Sequence, residues 1–423
     1  MNRRRLLAAL ATGSIATLAG CGYAYGGGDV RARELAGGSG VFMAGWSAHA
    51  TAGDRLAFAE SGDSPFEGER TAVDVIDRDA DAVGSFRHEG TSVGLALGSA
   101  GERAYLREST GSVVAVTPTA DDAAGMDGED DSDGGSDGTG ANRTSDADDG
   151  DGFDADDEGP SRPVDTPDWR ASLADVTGTP AAGTDPVERR ETEPLAADGL
   201  GAYVGSGPVV IAARGGDVDW TAEVGGDVRG LWCADAEGPD GVVVATADAV
   251  VALAPDGSRR WRHASGTGSS LVVDGDLVVL REGDDLLALE RPDGAEAWRT
   301  GVDGGGPPPT VTGDRVAAVS RGEVHVLDRD SGDPLWRTGV APDRDRHRSL
   351  VVDAGRAYFV DPDGEAVAVD AADAGGDRAW TRELEVRSPT VVDGWIDGGT
   401  VAFAFDTGEF VWLQRYDEDP GLL

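Results

Sequence analysis

Lysine is absent from this chain of 423 residues. All 36 basic residues are arginine and they face 79 acidic ones, a formal net charge of −43 at pH 7. An excess of that sign repels phosphate backbones, which excludes nucleic acid as a partner unless a basic patch exists. The densest basic stretches, Arg259-Arg260 and Arg344–Arg348, read as loop tips with no aromatic residue interleaved. The same charge makes a compact chain repel itself in dilute buffer, a field that strong salt screens. A halophilic, haloarchaeal source is expected. Cysteine is almost missing as well, with only Cys21 and Cys233 present, so no disulfide framework is available. Cys233 stands in the apolar run Leu231–Ala234 and reads as a small buried residue. His49, His88, His263, His325 and His347 are isolated, with no His-x-x-x-His or Cys-x-x-Cys spacing for a metal. Carboxylates are so frequent that no pair of them marks an acid and a base. No catalytic, cofactor-binding or metal-binding residue is therefore nominated, and a non-enzymatic role is expected.

No apolar run is long enough to cross a bilayer. The uncharged apolar run Leu6–Ala19 follows Arg3-Arg4-Arg5 and has the length and basic flank of an export signal. Arg3 and Arg4 ahead of Leu6-Leu7 resemble a twin-arginine signal, and Leu18-Ala19-Gly20-Cys21 resembles a lipobox. Residues 1–20 are thus expected to be a lipoprotein signal peptide, with Cys21 lipidated and holding the protein at the extracellular face of the cell membrane. Residues 21–40, rich in Gly and Ala, read as a flexible tether.

Residues 119–165 contain 17 acidic residues against Arg143 and Arg162, and almost nothing apolar. Such a segment cannot bury enough surface to offset its chain entropy, so a disordered insertion is expected. Asn142-Arg143-Thr144 is a glycosylation sequon within it. Its Asp clusters show no run with the spacing of a twelve-residue calcium loop.

What remains is a repeat. Leu277–Leu280, Leu286–Leu289, Val316–Val319 and Val324–Leu327 are short continuous apolar runs bounded by Gly, Asp or Arg. They are too short for helices and suit strands buried on both faces. Glu282–Asp285 and Arg321–Glu323 have hairpin-turn chemistry. A third strand starts near each Trp, and a further strand such as Pro309–Val311 follows. Trp220, Trp261, Trp298, Trp336 and Trp380 recur at intervals of 37 to 44 residues, with Trp169 delayed by the insertion and Phe86 in the equivalent slot upstream. Four-stranded antiparallel units of this length stack as the blades of a β-propeller. Seven complete units and one shared between the termini, in which Val41–Trp46 joins the strands at Thr400–Phe405 and Glu409–Leu413 to close the ring, give eight blades, with seven as the alternative count. The domain is expected over residues 41–118 and 166–418.

Leu327-Asp328-Arg329-Asp330-Ser331-Gly332 followed by Trp336 resembles the Ala-x-Asp-x-x-Thr-Gly-x-x-x-Trp signature of the PQQ-like β-propeller repeat family. Val369-Asp370 with Trp380 and Ile76-Asp77 with Phe86 match it more loosely. The resemblance implies that Trp169, Trp220, Trp261, Trp298, Trp336 and Trp380, with Asp328 and Gly332, are structural residues docked between blades. It implies two roles. One is a binding or scaffolding lipoprotein with other surface or membrane proteins as partners, similar to the propeller lipoprotein of bacterial outer-membrane assembly. The other is a quinoprotein dehydrogenase holding pyrroloquinoline quinone with calcium, although the adjacent cysteine pair of those enzymes is absent here. A surface glycan or ligand sensor is the third reading.

Overall fold

The computed structural model describes residues 28, 30–35, 45–64, 68–98, 101–119, 165–177, 194–233, 241–265, 271–302, 306–339, 349–371 and 377–415. Its strands run from β1 (Val30–Leu35) to β32 (Glu409–Gln414) and form eight four-stranded antiparallel sheets. In chain order the blades are β2–β5 (45–89), β6–β9 (92–172), β10–β13 (195–223), β14–β17 (228–264), β18–β21 (271–301), β22–β25 (310–338) and β26–β29 (351–383), numbered one to seven. The eighth joins β30–β32 (391–414) to β1. One helical turn, α1 (Ala174–Thr177), interrupts this pattern among the described residues. The chain is an eight-bladed β-propeller.

The apolar runs are continuous because each blade is covered on both sides. Eight hydrophobic clusters occupy the eight junctions between neighbouring blades. Along β15 (Val242–Thr246), Val242 and Val244 face blade three while Val243 and Ala245 face blade five. Alternate side chains of a strand point to opposite faces, so a sheet sandwiched twice needs apolar residues at every position. The hairpins follow the sequence reading. At the turn between β23 (Arg315–Ser320) and β24 (Glu323–Asp328), Arg321 and Gly322 have φ of 50° and 82°, the positive pair that a type I′ turn requires.

The phase of the repeat differs from the sequence reading by one strand. Pro309–Val311 does not complete the preceding unit; β22 (Thr310–Thr312) hydrogen-bonds to β23 and opens the next blade as its innermost strand. The Trp strand is the fourth and outermost. Turns joining first to second and third to fourth strands share one face of the ring, here the lock face. The remaining turns and the connections between blades share the other, the open face.

Closure also differs. Val41–Trp46 was expected to pair with the C-terminal strands, and residues 21–40 to be a tether. Instead β1 lies within that tether and pairs antiparallel with β32, matching Val30 to Leu413 and Leu35 to Glu409. Gly45 and Trp46 begin β2 (Gly45–Ala52), the innermost strand of blade one. The ring is thus closed by the two ends of the chain, with a different segment supplying the N-terminal strand.

Candidate functional site

Blades three, four and five are each fastened to the next by an outer-strand indole. Trp298 Nε1 donates to the Arg329 carbonyl at 2.8 Å, Trp261 Nε1 to Arg291 at 2.7 Å and Trp220 Nε1 to Pro255 at 2.7 Å. The ring lies on a glycine of the same turn in the following blade. A Cβ on Gly332 would stand 2.6 Å from Trp298 Cδ2, and one on Gly294 or Gly257 2.7 Å from Trp261 or Trp220. Asp328 explains the spacing of the signature: its Oδ1 accepts from the N–H groups of Asp330 and Ser331 and from the Ser331 hydroxyl, which shapes the turn that presents Gly332. Those bonds to Ser331 hold the Asp328 carboxyl below the usual range. Arg329, from the same turn, reaches back to Asp274 at 2.7 Å and Asp276 at 2.8 Å in blade five. Residues 372–376 of blade seven lie outside the described residues.

The seam at blade eight copies this lock with two chain ends. Gly28, at φ 82°, takes the glycine position: a Cβ there would lie 2.8 Å from Trp380 Cε3. Its N–H donates to the Gln414 carbonyl at 2.8 Å, and Trp380 Nε1 donates to the Arg415 carbonyl at 3.2 Å. The Arg31 guanidinium donates to the Gln414 side chain, and Arg33 to the Glu385 carbonyl at 2.7 Å. Arg415 is ion-paired with Asp353 in blade seven and donates to the Gly398 carbonyl at 2.9 Å.

The inner strands enclose a central channel of 640 Å³, lined largely by small and aliphatic residues such as Ala48, Leu97, Ala196 and Val272. His49, Thr51, Thr310 and Asp393 add polar groups, and Cys233 also faces it, half-buried and outside any disulfide rather than sealed in a core. Asp393 is pushed up by burial, against which Arg78 of blade one, bonded at 3.0 Å, works to lower it. Arg78 also stacks over Trp395 at 5.3 Å. Pyrroloquinoline quinone carries three carboxylates and needs cations to hold them. Among the described lining residues there is no arginine, and the one carboxylate is already paired. The lining does not fit quinone with calcium.

Two further sites hold buried charge. His88 and Glu108 meet across blades one and two at 2.7 Å, both almost fully enclosed, with Arg170 at 2.9 Å from the same carboxylate. Burial pushes the Glu108 carboxyl up, but the His88 bond and Arg170 outweigh it and hold it below its usual range. Between blades eight and one, Glu60, Asp74 and Asp406 line a small cavity of 70 Å³. Burial raises both Glu60 and Asp74, and their proximity raises Glu60 further.

The structure brings Trp220, Trp261, Trp298 and Trp380 into one repeated geometry, with Asp328 and Gly332 in the turn that receives Trp298. Trp169 packs beside Tyr105, ring centroids 5.9 Å apart, and against Gly216. Arg3, Arg4, Cys21 and Asn142 lie outside the described residues. So does the body of the insertion, but its ends are placed. Thr119 and Ser85 exchange backbone hydrogen bonds, and Asp165 Oδ2 accepts from Arg87 N at 2.8 Å, both along the outer strand β5 (Ala82–Glu89). Arg259-Arg260 begins strand β17 (Arg259–Ala264) and is not a loop tip. Sequence reasoning missed Gly28 and the Arg78–Asp393 pair.

The family profile described as outer membrane protein assembly factor BamB matches residues 246–322 and 320–421. BamB from Moraxella catarrhalis has a similar structure, with TM-score 0.51 and 12% identity, covering 93% of this chain and 99% of that one. The computationally designed Ika8 protein gives 0.52 at 11% identity over 93% and 97%. Sqt1 from Saccharomyces cerevisiae gives 0.51 at 10% over 87% and 95%. At these identities the likeness shows the ring alone. No curated protein sequence matches the chain.

Proposed function

We propose that the ring, whose residues 246–322 and 320–421 match the assembly-factor profile, is a lipid-anchored, non-enzymatic scaffold at the outer face of the cell membrane. It holds other surface or membrane proteins. The observation that carries this reading is the match of its C-terminal blades to the assembly-factor profile. Three features support it. The Trp locks and cross-blade arginines make a stiff platform whose loops can vary without disturbing the core. The channel is poor in charged residues beyond a paired Asp393. The sequence Leu18-Ala19-Gly20-Cys21 supplies an acylation site in a chain where no described helix is long and apolar enough to span a membrane.

The test is crosslinking in intact cells. Because the chain has no lysine, the reagent must join carboxylates or be a photoreactive residue placed on exposed turns. Probes on adjacent blades are expected to capture the same membrane protein, and Cys21→Ser to abolish the capture and release the ring into the medium. Dye reduction with alcohols or sugars after loading pyrroloquinoline quinone and calcium would replace the scaffold with an enzyme. Glycan binding with no captured protein would replace it with a sensor.

A further inference from the structure

We infer that the ring is held with its lock face toward the membrane, so that the open face, formed by second-to-third-strand turns and the connections between blades, is the one presented to partners. This rests on the proposed lipidation of Cys21, and it follows from where the chain is clamped to the ring at Gly28. Gly28 is not on a free arm. It is clamped on the lock face by its bond to Gln414 and by the Trp380 indole against its Cα. Seven residue steps separate it from Cys21, and at 3.3–3.6 Å per residue they reach at most about 25 Å.

The open face lies one strand length further away. β32 has six residues, which at about 3.3 Å each span roughly 20 Å. A tether turned back along the flank of blade eight would spend nearly all its length reaching the open face, with nothing left to enter the headgroup layer. Had the tether been residues 21–40, as the sequence suggested, it would reach either face with ease. The position of β1 removes that freedom. The anchored lipid therefore keeps the lock face nearest the bilayer. The turns that carry the acidic insertion, between β8 (Ser112–Val116) and β9 (Trp169–Ser172), leave from that same side of the ring.

The experiment uses the full lipidated protein in vesicles of its own membrane lipids and concentrated salt, with a headgroup quencher. In a Cys233→Ser background, a fluorophore is placed by Asp54→Cys on the lock face of blade one, or by Asp363→Cys on the open face of blade seven. Both blades flank blade eight, and both positions are exposed. Asp333→Cys, a second lock-face position, replaces Asp54→Cys if that variant fails to fold. Loss of fluorescence is expected at the lock-face site, with little change at residue 363. Equal or reversed loss overturns the orientation. Lengthening the tether by about 20 Gly/Ser residues after Gly22 is expected to erase the difference, since such a chain is a flexible coil that reaches both faces; persistence of the difference would also overturn it. The mass of the mature protein and the fractionation of Cys21→Ser report separately on lipidation. A protein without lipid sinks the anchoring reading, whereas a lipidated protein with the opposite order sinks only the orientation.

Discussion

Gly332 and Gly283 both adopt positive φ, at 70° and 65°, but only Gly332 meets an indole. Gly332→Ala combines left-handed backbone strain of about 1–2 kcal/mol with an overpacked contact costing about 1–3 kcal/mol. Gly283→Ala has nothing within 4 Å and meets the backbone cost alone. Denaturant unfolding in concentrated salt should place Gly332→Ala well below Gly283→Ala; equal losses would mean that the Trp298 stack contributes nothing. Charge at single residues sets the response to pH. Asp74 and Glu60 are raised above their ordinary 3.8 and 4.5 by burial. A raised acid contributes stability that is present below its unfolded value and lost as pH rises through the folded one. Glu108 is lowered, so its contribution is present above the ordinary range and lost as pH falls through its folded value. The optimum is therefore mildly acidic. Thermal scans should give a higher Tm just above the carboxylate range than at neutrality, and Asp74→Asn should raise the neutral value and flatten the rise. The Trp positions behind the lock were legible because they recur at nearly fixed spacing, and Gly332 because it stands in the full signature. Arg78 and Asp393 lie 315 residues apart, and no local pattern joins them.

At the scale of elements, the blades were legible and the seam was not. Strands such as Leu286–Leu289 are buried on both sides and so announce themselves as apolar runs. β1 reads Val-Arg-Ala-Arg-Glu-Leu. It is an outer strand with Arg31 and Arg33 exposed, so half its positions carry charge and it looks like linker. Gly28 is equally inconspicuous after Gly26-Gly27. Removing residues through Leu35 should bare the edge of β32 and invite chain-to-chain pairing; light scattering and gel filtration should show aggregates, and a monomeric folded truncation would contradict the closure. The acidic insertion behaves oppositely. Its ends pair with Ser85 and Arg87, two residues apart on β5, a gap of about 7 Å. Replacing residues 120–164 by a short Gly/Ser loop should leave the unfolding midpoint within a few degrees of the parent. A large fall would show that the excised residues brace the ring.

The whole molecule carries −43 formal charges with no lysine to relieve them. At about 1 M salt the Debye length is near 3 Å, against about 30 Å at 0.01 M, so repulsion between turns on one face fades only in concentrated salt. Tm should climb steeply with salt at first and then level off, while a flat profile would show that the cross-blade arginines already offset the acidic surface. The seam gives the ring a mechanical weak point with a defined hand. Because β1 runs antiparallel to β32 and starts where β32 ends, a pull that draws the residues upstream of Gly28 away from the end of β32 at Gln414 unzips the ladder pair by pair instead of shearing it at once. The first thing such a pull meets is the Trp380 clasp, so the tension the protein withstands before its circle springs open is set by one indole and one glycine.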